Sequence, residues 1–298
     1  MRQVKDIAVR GLSKNGRLRG VACVTTGLVN ELQRRHNTWP VATAALGRTA
    51  SIAAMMGLEL KNDERLTVQI KGDGPIKSIT VDADGSGHVR GYVENPHVHL
   101  PSNPQGKLDV GGGVGAGMLY VIRDQGLKDY YRGSAELQSG EIADDFTYYF
   151  AVSEQTPSSV GAGVLVDTDN SVIVSGGFIV QLMPGHTEAD ISSLERQLAG
   201  LASVTDILKA GATASDLLEM VLPDAVALES QELEFRCTCS RQRLEAVLRS
   251  LGAAEIESMI QEQGGAQVTC HFCGEVYDFS GADLQVMLEQ IDANGQEK

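Results

Sequence analysis

Four cysteines near the end of the chain carry the chemistry that the rest must be arranged to use. Cys237-Thr238-Cys239 is followed about thirty residues later by Cys270-His271-Phe272-Cys273, and the 298 residues hold only one other cysteine, Cys23. Thiolates are soft ligands, and four of them set tetrahedrally suit Zn²⁺. Each cluster offers two ligands, and the segment between them can fold back so that one ion staples both ends. The C-x₂-C half has the spacing of a zinc knuckle. The C-x-C half chelates more tightly, and its strained geometry also forms a disulfide that is easily reduced. The set can therefore hold metal when reduced, or pair off as two short-range disulfides when oxidised. A structural zinc knob that never changes state is the competing reading of the same residues.

Composition narrows the setting. Hydrophobic residues make up 42% and aromatics 5%, so small aliphatic side chains do most of the packing. A net charge of −14 opposes binding to nucleic acid or an anionic membrane, either of which needs clustered Lys and Arg. The odd cysteine count and the polar start, Met1-Arg2-Gln3-Val4-Lys5, give no sign of a secretory leader. No apolar run reaches the length of a membrane span. The expected home is the reducing cytoplasm, where disulfides act as signals and not as staples.

The elements that must position the cysteines read as an α+β protein in three parts. Residues 1–185 form an N-terminal domain of antiparallel sheets packed with helices. Strands are expected at Ile7–Val9 and Val21–Val24, with Cys23 a buried small hydrophobe. Helices follow at Thr26–His36 and, opened by Pro40, at Val41–Met56. The second is apolar nearly all round, so it is buried, with Trp39 anchoring the corner before it. From Leu66 to Val93 the period changes to two, an antiparallel meander with a turn at Asp84-Gly85-Ser86-Gly87. A strand at Met118–Arg123, a helix ending near Val152, and strands at Val160–Val166 and Val172–Val180 complete the domain.

Residues 186–235 read as a helical linker of metastable character. Ala189–Leu198, Val204–Leu208 and Ser215–Val221 keep helical spacing, while acids such as Glu188, Asp190, Asp206, Asp216 and Glu229 dominate the rest. Helices this short need tertiary packing, so the segment is expected to be stable only when docked, with an ordinary helical linker the competing reading. Residues 236–298 form a small C-terminal Cys₄ zinc module. Ser240 caps a helix to about Leu251, a second runs Glu255–Gln263, and the C-x₂-C falls at the tip of a hairpin. In comparable small zinc peptides the metal supplies about 10–16 kcal/mol of apparent binding, which is also folding free energy.

Two other constellations are set aside. His97 and His99 are spaced like ligands, with His88 nearby, but they read as solvated loop histidines without an acidic or cysteine partner. Gly111 to Gly117 invites a phosphate-loop reading, but no Gly-Lys-Ser/Thr follows and a strand comes next. Close crossing of backbone explains those glycines better. No catalytic triad or paired-carboxylate pattern is found in the first domain.

At this point the chain resembles the 33 kDa chaperonin family, the redox-regulated heat-shock chaperones of bacteria, over essentially its whole length. The resemblance rests on Arg236-Cys237-Thr238-Cys239-Ser240, on Cys270-His271-Phe272-Cys273 with Tyr277 after it, on Tyr149-Phe150 with Ser153-Glu154-Gln155, and on Gly176-Gly177 with Gln181-Leu182-Met183-Pro184-Gly185. Thr238 departs from the acid expected there in some relatives, which would tune thiol reactivity. The resemblance implies a non-enzymatic holdase that works without ATP. Cys237, Cys239, Cys270 and Cys273 would bind one Zn²⁺ per chain when reduced. On oxidation zinc would leave, Cys237 would pair with Cys239 and Cys270 with Cys273, and the C-terminal region would unfold. Unfolding client proteins would then be held by a homodimer. The alternatives are a zinc-module nucleic-acid-binding protein, which needs a basic face, and an enzyme with merely structural zinc.

Overall fold

The fold is taken from a computed structural model that describes residues 5–61, 64–127 and 129–295. Along the chain come β1 (Ile7–Ser13), β2 (Leu18–Val24), α1 (Thr26–His36), α2 (Pro40–Gly57), β3 (Arg65–Gly72), β4 (Ser78–Asp84) and β5 (His88–Val93). Then follow α3 (Val110–Val114), β6 (Gly117–Asp124), β7 (Tyr131–Glu136), α4 (Ala143–Val152), β8 (Ser158–Val166) and β9 (Val172–Leu182). An acidic stretch carries α5 (Glu188–Ala199), α6 (Val204–Lys209), α7 (Ala214–Val221), β10 (Ala225–Glu232) and β11 (Glu234–Phe235). The last part holds α8 (Arg241–Ser250), α9 (Ala253–Gln263), β12 (Gly265–Thr269), β13 (Val276–Ser280) and α10 (Gly281–Gly295). The chain divides into two compact units, Met1–Arg236 and Cys237–Lys298.

The first unit is α+β. One sheet runs β10-β1-β2-β9-β8, all antiparallel, and a second runs β11-β5-β4-β3-β6-β7. Only the β11–β5 pair of the second sheet is parallel. Helix α2 touches strands of both sheets. Pro40 opens it at the first helical position, where the missing N–H costs nothing. Its run of Ala, Gly and Met is buried on every side, as expected of a helix without a polar face. Trp39 occupies the N-cap in the β region and its backbone N–H donates to Pro96 O, but the residue is 40% exposed and its ring lies against His97.

The five-stranded sheet is covered on both faces. Ala8, Val21, Cys23 and Ile179 belong to the core built around α2, whereas Val9, Ala22, Val24, Phe178 and Val180 belong to a second core. The second core is completed by Ile207 and Leu208 of α6 and by Leu217, Leu218 and Val221 of α7. Period-two alternation thus serves two layers at once. Close approach needs glycine: a Cβ on Gly20 would stand 2.8 Å from Leu218 Cδ1, and one on Gly11 would stand 3.1 Å from Leu218 Cδ2. The helical runs expected in the acidic stretch are present and docked. The stretch is not helical throughout, however. Residues 225–232 form an edge strand against β1, and Glu234–Phe235 adds to β5.

Two further differences concern the residues set aside above. His88 is not a solvated loop residue. It begins β5, its Nδ1 lies 3.0 Å from Asp84 Oδ2, and its Nε2 lies 3.4 Å from Glu234 Oε1 and 2.9 Å from Arg236 Nη1. These partners arrive through a turn and through the distant β11. Residues 110–114 form the short helix α3 before the expected strand. The close-crossing explanation of the glycines is supported: Cβ atoms at Gly74 and Gly113 would meet Gly113 O and Val41 Cγ1 at 2.6 and 2.7 Å. Strand β7 had no signal in its sequence, Tyr-Arg-Gly-Ser-Ala-Glu.

The second unit packs α8, α9 and α10 with the β12–β13 hairpin. Among the described residues its buried core is Leu248, Ile256, Phe279, Leu284, Met287 and Leu288, with partly buried side chains such as Leu244, Met259 and Tyr277 packed against it. A core this small is the usual reason for a metal or covalent staple.

Candidate metal centre

Local structure brings the four cysteines to one point within the second unit. Cys239 immediately precedes Ser240, whose side chain accepts from Arg243 N and so caps α8. Cys270 and Cys273 lie on the connection between β12 and β13. That turn is closed by Cys270 N donating to Glu275 O at 2.9 Å and Gly274 N donating to Cys270 O at 2.8 Å. Gly274 takes φ of 72°, a left-handed conformation that only glycine adopts without strain.

The four sulfurs all lie within 4.8 Å of one another. Cys237 Sγ is 3.7 Å from Cys270 Sγ, and Cys239 Sγ is 3.3 Å from Cys273 Sγ. These separations are too long for an S–S bond of about 2.05 Å. They approach the edge of about 3.8 Å expected for a tetrahedron with Zn–S arms of about 2.3 Å. The donor set is all sulfur, and among the described residues no other group of three or more His, Cys, Asp or Glu is gathered this way. The chemistry of the set fits a four-thiolate ion. All four residues singled out in the sequence are brought together, while Cys23 lies in the core of the other unit.

The surroundings explain how the sulfurs are held. Arg243 Nη1 donates to Thr238 O at 2.9 Å and to Thr238 Oγ1 at 2.7 Å, which fixes the C-x-C bend from the first turn of α8. Arg241 Nη1 donates to Asp278 O at 2.7 Å, its Nη2 pairs with Asp283 at 3.0 Å, and its guanidinium covers the Phe279 ring at 4.4 Å. Tyr277 of β13 places its hydroxyl 3.3 Å from Cys239 Sγ. The sequence presented Tyr277 only as part of a motif and gave no sign of Arg241 or Arg243.

Burial opposes ionisation of Cys237, but the hydrogen bonds it receives from the Cys239 backbone N–H and the neighbouring thiols prevail and bring it down to about 7. Burial pushes the Cys270 and Cys273 thiols up. A metal ion held by four thiolates would compete with the protons on these sulfurs. Complete burial pushes the Cys23 thiol far up, which leaves it protonated and inert.

The two-sheet fold and the four-sulfur centre define a metal-competent, thiol-bearing protein of one family. The chain belongs to the Hsp33 family, whose Hsp33 protein profile matches residues 6–280. Relatives named 33 kDa chaperonin bear this out. That of Desulforamulus reducens is 48% identical over 291 residues, covering 97% of this chain and 99% of the relative. That of Halalkalibacterium halodurans is 49% identical over 288 residues, with 96% and 99% covered. The crystal structure of the 33 kDa chaperonin (heat shock protein 33 homolog) of Thermotoga maritima superposes with a TM-score of 0.91 at 36% identity, covering 97% and 99% of the two chains.

Proposed function

We propose that this protein is a redox-regulated holdase chaperone that works without ATP, is not an enzyme, and is switched by Cys237, Cys239, Cys270 and Cys273. The observation that carries the reading is the gathering of four sulfurs within 4.8 Å in a unit whose apolar cluster has, among the described residues, only six buried members. The chaperone class is supported by membership of the family and by relatives named chaperonin. One Zn²⁺ bound by the four thiolates supplies a cross-link between residues that are otherwise tied by a few hydrogen bonds.

Oxidation acts on the ligands. Two cysteine thiolates give up two electrons to one peroxide molecule, whose O–O bond breaks to give two hydroxides that take up protons from water, and a disulfide forms. Repeating this for the other pair gives Cys237–Cys239 and Cys270–Cys273. Each disulfide closes only a very short loop, so neither replaces the lost cross-link. The module then loses its fold, the loss passes into residues 186–235, and apolar surface becomes available to unfolding client proteins. A homodimer in the cytoplasm is the expected active form. Among the described residues no helix is long and apolar enough to cross a membrane. The net charge of −14 leaves the nucleic-acid-binding alternative without support.

The test is zinc quantitation and thiol counting before and after peroxide with warmth, beside suppression of aggregation of a heat-denatured protein. One zinc per chain, lost together with four thiols as suppression appears, is the expected result. Loss of zinc and thiols without suppression refutes the holdase reading.

A further inference from the structure

Between the cysteine clusters runs a contact that needs no metal. Cys239 belongs to the first cluster. Tyr277 stands on β13, the strand that leaves the second cluster, opposite Val268 of β12. Its ring packs at the margin of the small core, and its hydroxyl ends 3.3 Å from Cys239 Sγ. When Cys239 is a thiolate, only the hydroxyl can donate in this pair.

We propose that Tyr277 is a positioning residue that sets the oxidation threshold of the centre through its hydrogen bond to Cys239. The proposal rests on the switch reading above and adds to it the residue that tunes the switch. A phenolic O–H donated to a thiolate withdraws charge from the sulfur and restricts its direction. Both effects favour a sulfur that stays a ligand over one that attacks an oxidant.

The attack has a definite course. A Cys239 thiolate that attacks the O–O bond of hydrogen peroxide takes one oxygen and becomes a sulfenic acid, and hydroxide leaves. A second cysteine thiolate then displaces hydroxide from that sulfur and forms the disulfide. The peroxide gains two electrons and the two sulfurs lose them. The first step needs a sulfur lone pair facing outward, and Tyr277 engages one.

A second, independent contact supports the assignment. Arg243 holds the Thr238 carbonyl and hydroxyl, so the bend that carries Cys239 is fixed on one side by α8 and on the other by β13. Of these two contacts the Tyr277 one reaches a sulfur, and that makes it the part of the brace with chemical consequence.

The experiment compares the full-length, zinc-loaded protein with Tyr277→Phe, which keeps the ring and removes the hydroxyl. Zinc affinity is read by competition with a chelating dye. The oxidation rate of each cysteine is read by differential alkylation and mass analysis during peroxide treatment. The variant is expected to take up one zinc with about 10-fold weaker affinity, within the range typical of such outer partners. Cys239 is expected to oxidise several-fold faster than in the wild type. Tyr277→Leu, which also removes the ring, should show the same change in Cys239 rate with a further loss of stability. Unchanged zinc affinity and an unchanged Cys239 rate in the Phe variant overturn the proposal. If instead the wild type loses zinc and thiols to peroxide yet never suppresses aggregation, the holdase reading fails while the Tyr277 assignment is still decided by the alkylation rates.

Discussion

Leu218 of α7 sits directly over Gly20 of β2, so close that a Cβ on the glycine would stand 2.8 Å from Leu218 Cδ1. The side chain is 3% exposed. This pair fastens the acidic helical stretch to the outer face of the five-stranded sheet, where α7 also meets β1.

Leu218→Glu should therefore undock α7 without touching a cysteine. Burying an unpaired carboxylate costs about 3 kcal/mol or more, and a helix of eight residues does not survive alone. Limited proteolysis should cut within residues 187–222, and some suppression of aggregation should appear under reducing conditions. Protease resistance equal to the wild type would mean that the docking seen here is dispensable.

Removing a ligand tests the centre itself. Cys270→Ser replaces the sulfur of a buried residue with a harder, poorer donor. Zinc affinity should fall by at least 10-fold, and the reduced protein should be partly active as a holdase. A variant that holds zinc normally and stays silent would show that Cys270 is not part of the switch.

Cys23→Ser should leave oxidative activation intact. The Cys23 thiol is wholly buried, held protonated by that burial, and its sulfur lies 3.7 Å from Ser51 O, to which it donates. A serine hydroxyl can make the same bond, so a small fall in melting temperature is the expected cost. Loss of activation by peroxide would make Cys23 a participant.

Acid should loosen the docked helices by a route independent of the cysteines. Hydrogen bonds from Thr187 hold the Asp190 carboxyl below its ordinary value of 3.8, and those from Thr213 do the same for Asp216. Both belong to capping boxes that start α5 and α7. A carboxyl whose folded value is depressed adds stability that is complete above about 3.8 and is lost as pH falls through the lower folded value. Protease sensitivity of residues 187–222 should rise below pH about 4, and Thr213→Ala should raise it at neutral pH by removing a cap worth about 1 kcal/mol.

Much of this was legible from local pattern. The helices α1 and α2, the meander from β3 to β5 and the cysteine pairs follow from spacing that one window of sequence contains. What was missed is non-local or small. Strand β10 carries two glutamates and six of its eight residues are exposed, so nothing in Ala-Val-Ala-Leu-Glu-Ser-Gln-Glu predicts its pairing with β1 more than two hundred residues away. Strand β11 is two residues long. Asp84 and Glu234 reach His88 from a turn and from that short strand, so the histidine looked unaccompanied. Tyr277 and Arg243 touch the centre through side-chain reach, which spacing along the chain does not encode.

The sulfur contacts of the centre join residues only 33 and 34 positions apart, whereas the β1–β10 edge is clamped by Lys5 and Glu232, 227 positions apart. Closing a short loop demands less searching than closing a long one, and proteins built from near neighbours fold faster. On the proposed switch, reduction asks the module to close contacts only a few dozen residues long, whereas β10, which lies within residues 186–235, has to find β1 again across more than two hundred. On that reading the four-sulfur module re-forms first and the β1–β10 edge last.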